Sequence, residues 1–109
     1  MRHLVKPFLH ALALSALAAG SAGAASMIEK ACIGAGREAA SPALCACIQS
    51  VANQRLPPRD QRLAASFFRD PQKAQVIRQS ERQKHKSFWL RYREFGDAAE
   101  ESCAGADPA

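Results

Sequence analysis

Apolar residues recur along this chain at helical spacing, and no stretch alternates as a half-buried strand would. From Ser41 onward, Leu44, Ile48, Val51, Ala52 and Arg55 share one face, with Ser41 placed to cap the helix and Pro42 suited to its first position. Pro57-Pro58 ends this helix, because neither ring nitrogen donates a hydrogen bond and the residue before a proline avoids helical geometry. A further helix is expected from about Arg59 to Arg69, with Leu63, Ala64, Phe67 and Phe68 as its apolar side. Asp70-Pro71 then reads as an N-cap and a first helical residue, opening a short helix from Pro71 to Gln79 with Ala74, Val76 and Ile77 inward. The last segment, about Glu81 to Cys103, sets Phe88, Tyr92, Phe95, Ala99 and Cys103 on one stripe, flanked by Trp89 and Leu90. Ahead of all these, Ser26 to Arg37 reads as a short helix with Met27, Ile28, Ala31, Cys32 and Ala35 inward. Gly34 and Gly36 weaken it by about 1 kcal/mol each if they are interior. The fold class expected is all-α, a small bundle of about four helices.

The start of the chain has a different pattern. Arg2, His3 and Lys6 precede an apolar run from Phe8 to Ala19, small residues follow from Gly20 to Ala25, and Ala22-Gly23-Ala24 is an A-x-A cleavage motif. The run is shorter than the roughly 20 apolar residues a spanning helix needs, and no second one follows. Residues 1–24 are therefore expected to be a cleaved export signal, leaving 25–109 as a single helical domain with a short flexible C-terminal tail. Cys32 lies beyond Glu29 and Lys30, away from the position a lipid anchor would need. The expected location is the periplasm, with no transmembrane segment after cleavage.

Export changes the meaning of the cysteines. Cys32, Cys45, Cys47 and Cys103 are even in number, and a small core in an oxidising compartment gains from covalent bridges. On the helix after Ser41, Cys45 and Cys47 sit about 200° apart, so each can reach a different neighbour. A hairpin turning near Ala39 to Ser41 puts Cys32 level with position 49, which favours Cys32–Cys47 with Cys45–Cys103. The pairing Cys32–Cys45 with Cys47–Cys103 is a close rival. Other chemistry is poorly served. Zinc would want paired C-x-x-C-like ligands and more than the lone His85 downstream, and C-x-x-C-H haem attachment is absent. Thiol exchange at Cys45-Ala46-Cys47 is conceivable, but no basic residue between Pro42 and Gln54 would lower a thiol pKa. No catalytic set, metal site or cofactor is expected, and His85 reads as a loosely exposed side chain.

Charge adds one feature. Without the signal the formal charge is 13 − 10 = +3, well short of a polyanion binder's excess. It is nevertheless uneven: Arg78, Arg82, Lys84, Lys86, Arg91 and Arg93 face a single acid, Glu81, over one stretch, and Glu94, Asp97, Glu100 and Glu101 follow. That order opposes the helix dipole. Either Gly96 breaks the helix and Asp97 with Glu100 caps a new one, or a single bent helix continues with Arg93 and Asp97 paired at i,i+4; the second is preferred. The six cations could form a face for an anionic partner, an unknown periplasmic protein or an envelope component, or could simply be solvated. No nucleic-acid-reading module is present.

The strings Ala31-Cys32-Ile33, Ala40-Ser41-Pro42-Ala43-Leu44-Cys45-Ala46-Cys47-Ile48-Gln49, Ala65-Ser66-Phe67-Phe68-Arg69-Asp70-Pro71, Val76-Ile77-Arg78-Gln79-Ser80 and Phe88-Trp89-Leu90-Arg91-Tyr92-Arg93-Glu94-Phe95-Gly96 resemble a family of small exported alphaproteobacterial proteins. The resemblance runs from Cys32 to Cys103. Members often carry the label "arginine transporter", which implies amino-acid transport; a domain without a spanning segment would serve there only as an accessory or binder. The resemblance brings no catalytic or ligand residues with it. The expectation is a non-enzymatic periplasmic interaction or structural module presenting a basic helix face, with transport accessory and thiol exchange protein as alternatives.

Overall fold

The computed structural model describes residues 26–36 and 40–106. The expected signal (1–24) lies outside the described residues, as do position 39 of the expected turn and residues 107–109 of the expected tail. Five α-helices follow one another: α1 (Met27–Gly34), α2 (Pro42–Arg55), α3 (Pro58–Arg69), α4 (Pro71–Arg78) and α5 (Gln83–Cys103), with a closing 3-10 turn at Ala104–Ala106. No strand occurs among the described residues. The protein is all-α, and its five helices follow the five segments read from the sequence, with the expected corner between α3 and α4.

Proline sets most of these boundaries. The Ser41 hydroxyl accepts the Leu44 backbone N–H at 3.0 Å while Pro42 occupies the first turn of α2. Leu56 and Pro57 are extended, each preceding a proline, and Pro58 starts α3 at once. Asp70, at φ −139° and ψ 83°, leaves helical geometry before Pro71 and makes the corner between α3 and α4. Its predicted cap is not formed through the side chain: the backbone carbonyl takes the Lys73 N–H at 3.1 Å. α1 stops at Gly34, short of the expected Arg37, and Gly36 lies past its end with φ +65°. In that left-handed conformation glycine costs a C-terminal cap little, so Gly36 is not an interior defect.

α1 packs on α2 and α3, α2 on α5, α3 on α4, and α4 on α5. Two cores result. The larger gathers Ile28, Val51, Ala52, Leu56, Ala64, Ala65, Phe95 and Cys103 between α1, α2, α3 and the C-terminal half of α5. The smaller gathers Phe67, Ile77 and Phe88 where α4 meets α3 and the N-terminal half of α5. Tyr92 packs against both. Its ring stacks on Phe88 at 5.6 Å and meets Phe67 edge-on at 5.3 Å.

Several inward expectations need correction. Cys45, Gln49, Ala52 and Leu56 are the deeply buried line of α2, with Val51 beside it. Leu44 and Ile48 are only half-buried and Arg55 is exposed. α2 lies between α1 and α5, so its buried surface is wider than the single stripe read from apolar residues alone. Val76 is 60% exposed on α4, where Ile77 and Ala74 make the contacts, and Leu90 is 63% exposed on α5.

The bridges are Cys32–Cys45 and Cys47–Cys103. As expected, α2 is tied to a different neighbour through each cysteine, but the favoured pairing is reversed. The Glu29 N–H donates to Gln49 Oε1 at 2.9 Å, so Glu29 faces Gln49 and Cys32 falls opposite Cys45. Cys32 thus lies opposite position 45 and not 49, about one helical turn from the register the mirror count assumed. No free cysteine remains.

α5 runs unbroken through Gly96 to Cys103. Asp97 does not start a new helix, and Arg93 and Asp97 form no ion pair. The packing of Phe95, the anchor at Cys103 and continuous backbone hydrogen bonds outweigh a dipole mismatch of about 0.3–1 kcal/mol and a glycine penalty of about 1 kcal/mol.

Candidate functional site

The six expected cations do not form one face. Arg78 ends α4 and Arg82 caps α5. On α5, Lys84 and Arg91 lie on one flank, while Lys86 and Arg93 lie about 180° around the axis. Lys86 meets Glu81 at 3.3 Å in an open surface pair of little energetic weight.

The Lys84 and Arg91 flank opens onto a cleft of about 520 Å³ between the start of α3 and the first half of α5. Arg59, Asp60, Leu63, Lys84, His85, Ser87, Phe88 and Arg91 line it. The two helices touch sparingly, and the cleft lies between them. One bond spans it. Asp60, in the first turn of α3, receives Arg91 Nε at 2.6 Å and Nη2 at 3.2 Å, a two-pronged pair with the Asp60 side chain only 5% exposed. The hydrogen bond and charge of Asp60 hold the Arg91 guanidinium protonated beyond its ordinary range, against a smaller opposing effect of burial. Arg91 thus serves first as a strut between helices, which the sequence reading did not anticipate.

Arg59 and Lys84 are exposed and have no carboxylate partner. Arg59, missed from the sequence, is brought beside Lys84 and Arg91 only by the fold. His85 is half-buried rather than loosely exposed: its Nδ1 and Ser80 Oγ share a hydrogen bond of 2.6 Å, and Ser80 Oγ also accepts the Arg82 N–H at 3.2 Å. Ser80 and His85 form a pair without an orienting carboxylate, since the one acid lining the cleft has both oxygens on Arg91. No cluster of three His, Cys, Asp or Glu side chains placed to hold a metal ion occurs among the described residues.

The buried polar centre of the fold lies apart from this cleft. Gln49 Nε2 donates to Asn53 Oδ1 and to Gln61 Oε1, both at 2.9 Å, and Gln61 Nε2 donates to the Leu56 carbonyl at 3.1 Å. With the bond from Glu29 N–H, these amides join α1, α2 and α3 with no buried side-chain polar atom left unpartnered among the described residues. This is a structural clasp with no open face for a ligand. Gln61 falls in helical step with Ala64, Ala65 and Phe68, which is the signal that marks it as inward-facing.

Both cysteine pairs are oxidised, a state that an oxidising compartment maintains. Among the described residues no helix is long and apolar enough to cross a membrane. No protein family, curated protein or solved structure matches this chain.

Proposed function

We propose that this chain is a small periplasmic, non-enzymatic helical module, delivered by a cleavable signal at 1–24, that engages an anionic partner through the cations flanking its last helix. The observation carrying this reading is the uncompensated charge of the cleft: Arg59 and Lys84 have no carboxylate partner, and the one acid there is fully engaged by Arg91. Charges held beside a low-dielectric wall attract a counter-charge more strongly than the same charges in open water. The two bridges and the amide clasp supply a rigid platform for such contacts.

The other two readings draw less support. Thiol exchange at Cys45-Ala46-Cys47 would need the two sulfurs to act together, yet they sit in separate bridges and Cys45 is 0% exposed. A role in arginine transport, which the family label implies, would need a free carboxylate in the cleft for the guanidinium, and the one acid there, Asp60, is already paired with Arg91.

The test is crosslinking in exporting cells. A partner is expected to be captured at low salt, released at high salt, and lost when Arg59→Glu is combined with Lys84→Glu. Recovery of only a lone monomer, regardless of salt, would overturn the proposal.

A further inference from the structure

We infer that the cleft between α3 and α5 binds a small amphiphilic acid, with its carboxylate or phosphate head on Arg59 and Lys84 and its apolar body against Leu63 and Phe88. This rests on the anionic-partner reading and narrows it to one site and one class of ligand. Three observations converge. The volume, about 520 Å³, falls within the range of small-molecule sites. The one lining acid cannot neutralise Arg59 or Lys84, because both Asp60 oxygens are held by Arg91 and its side chain is almost fully enclosed. The same wall carries Leu63, half-buried and so partly open to water, which an inorganic ion would leave wet and an alkyl or aryl body would cover; Phe88, 3% exposed, backs the wall.

The remaining polar groups fit that division. Lys84 and Arg91 project from one flank of α5 and Arg59 from the first turn of α3, so an acid head would be met from both sides of the opening. The His85 ring, held at Nδ1 by Ser80, is a further polar group on the lining. A guanidinium or ammonium head would face Arg59, Lys84 and Arg91, and the one carboxylate of the lining, Asp60, is already held by Arg91.

Decanoate below its micelle-forming concentration is the probe, titrated into the oxidised protein by calorimetry, with inorganic phosphate as the head alone and decanol as the body alone. Decanoate is expected to bind saturably and roughly tenfold or more tightly than either half-probe. Arg59→Gln combined with Lys84→Gln should weaken it roughly tenfold or more, since two charge-assisted contacts are lost. Lys86→Gln combined with Arg93→Gln, on the opposite side of α5, should leave it unchanged. Both pairs are exposed, and thermal melts check that each variant folds. Absence of saturable decanoate binding, or equal weakening by both pairs, overturns the inference. If phosphatidylglycerol vesicles bind while free decanoate does not, the amphiphilic-acid site is wrong but the anionic-partner reading stands. Failure of the salt-sensitive crosslink, with decanoate still binding, overturns the partner reading alone.

Discussion

The two ends of this molecule are held together by different means. At one end, α1, α2, one side of α3 and the C-terminal part of α5 share both disulfides, the buried glutamine pair and the larger core. At the other, α4 and the adjoining parts of α3 and α5 have no bridge; an aromatic cluster packs them and the Asp60–Arg91 pair ties α3 to α5. The uncompensated cations are at this second end. A cleft that is to admit a partner is placed where helices touch sparingly, and the cross-links secure the region that does not have to open.

The largest test of this contrast is removal of the bridges. Their sequence separations are 13 and 56, and loop closure of those lengths contributes about 3 and about 4 kcal/mol in the chain-entropy description. Thermal melts with and without reductant should show large destabilisation. Cys47→Ser with Cys103→Ser should cost more than Cys32→Ser with Cys45→Ser, and the reverse order would mean that the short bridge organises the fold.

Phe67→Ala probes the unbridged end. Phe67 is buried and touches both Phe88 and Tyr92, so truncation should cost about 3–5 kcal/mol. In native-state hydrogen exchange, amides of α4 should lose protection before those of α1 and α2. Simultaneous loss throughout would show that the two ends open as one unit.

The smallest effect concerns Tyr92, which joins the two cores and is the only tyrosine in the chain. Burial raises its phenol above the ordinary value of 10.0. The stability this represents is fully present below pH 10 and is lost as pH rises through the folded-state value. Phenolate absorbance should therefore titrate above the value of the unfolded chain, and thermal stability should fall over the same alkaline window. A midpoint at or below the unfolded value would place the ring in water.

Helix number, order and most boundaries were legible because Ser41, Pro42, Pro57, Pro58 and Pro71 act locally, through a cap or a missing donor. Apolar spacing located Phe88, Phe95 and Cys103, whose partners lie along a single side. It failed on α2, where neighbours on two sides bury Gln49 and turn Arg55 outward. The bridge partners depended on a register set by the Glu29–Gln49 contact, which no count across the turn contains. The basic run misled for a related reason. Residues seven apart share a flank and residues two apart do not, so the four cations on α5 divide between two sides while Arg78 and Arg82 precede that helix, and Arg91 is claimed by an aspartate 31 residues away.

The Cys47–Cys103 bond has a consequence for how the protein withstands cutting. It closes the backbone into a ring containing all of α3, α4 and α5, and the residues lining the cleft all belong to that ring. A protease that severs one peptide bond at the α4 corner converts the ring into two strands still joined through sulfur, with α1 held to α2 by the other bridge. The nicked molecule keeps every residue and gains only the mass of a water. The cut would be invisible on a non-reducing gel and would separate into fragments on a reducing one.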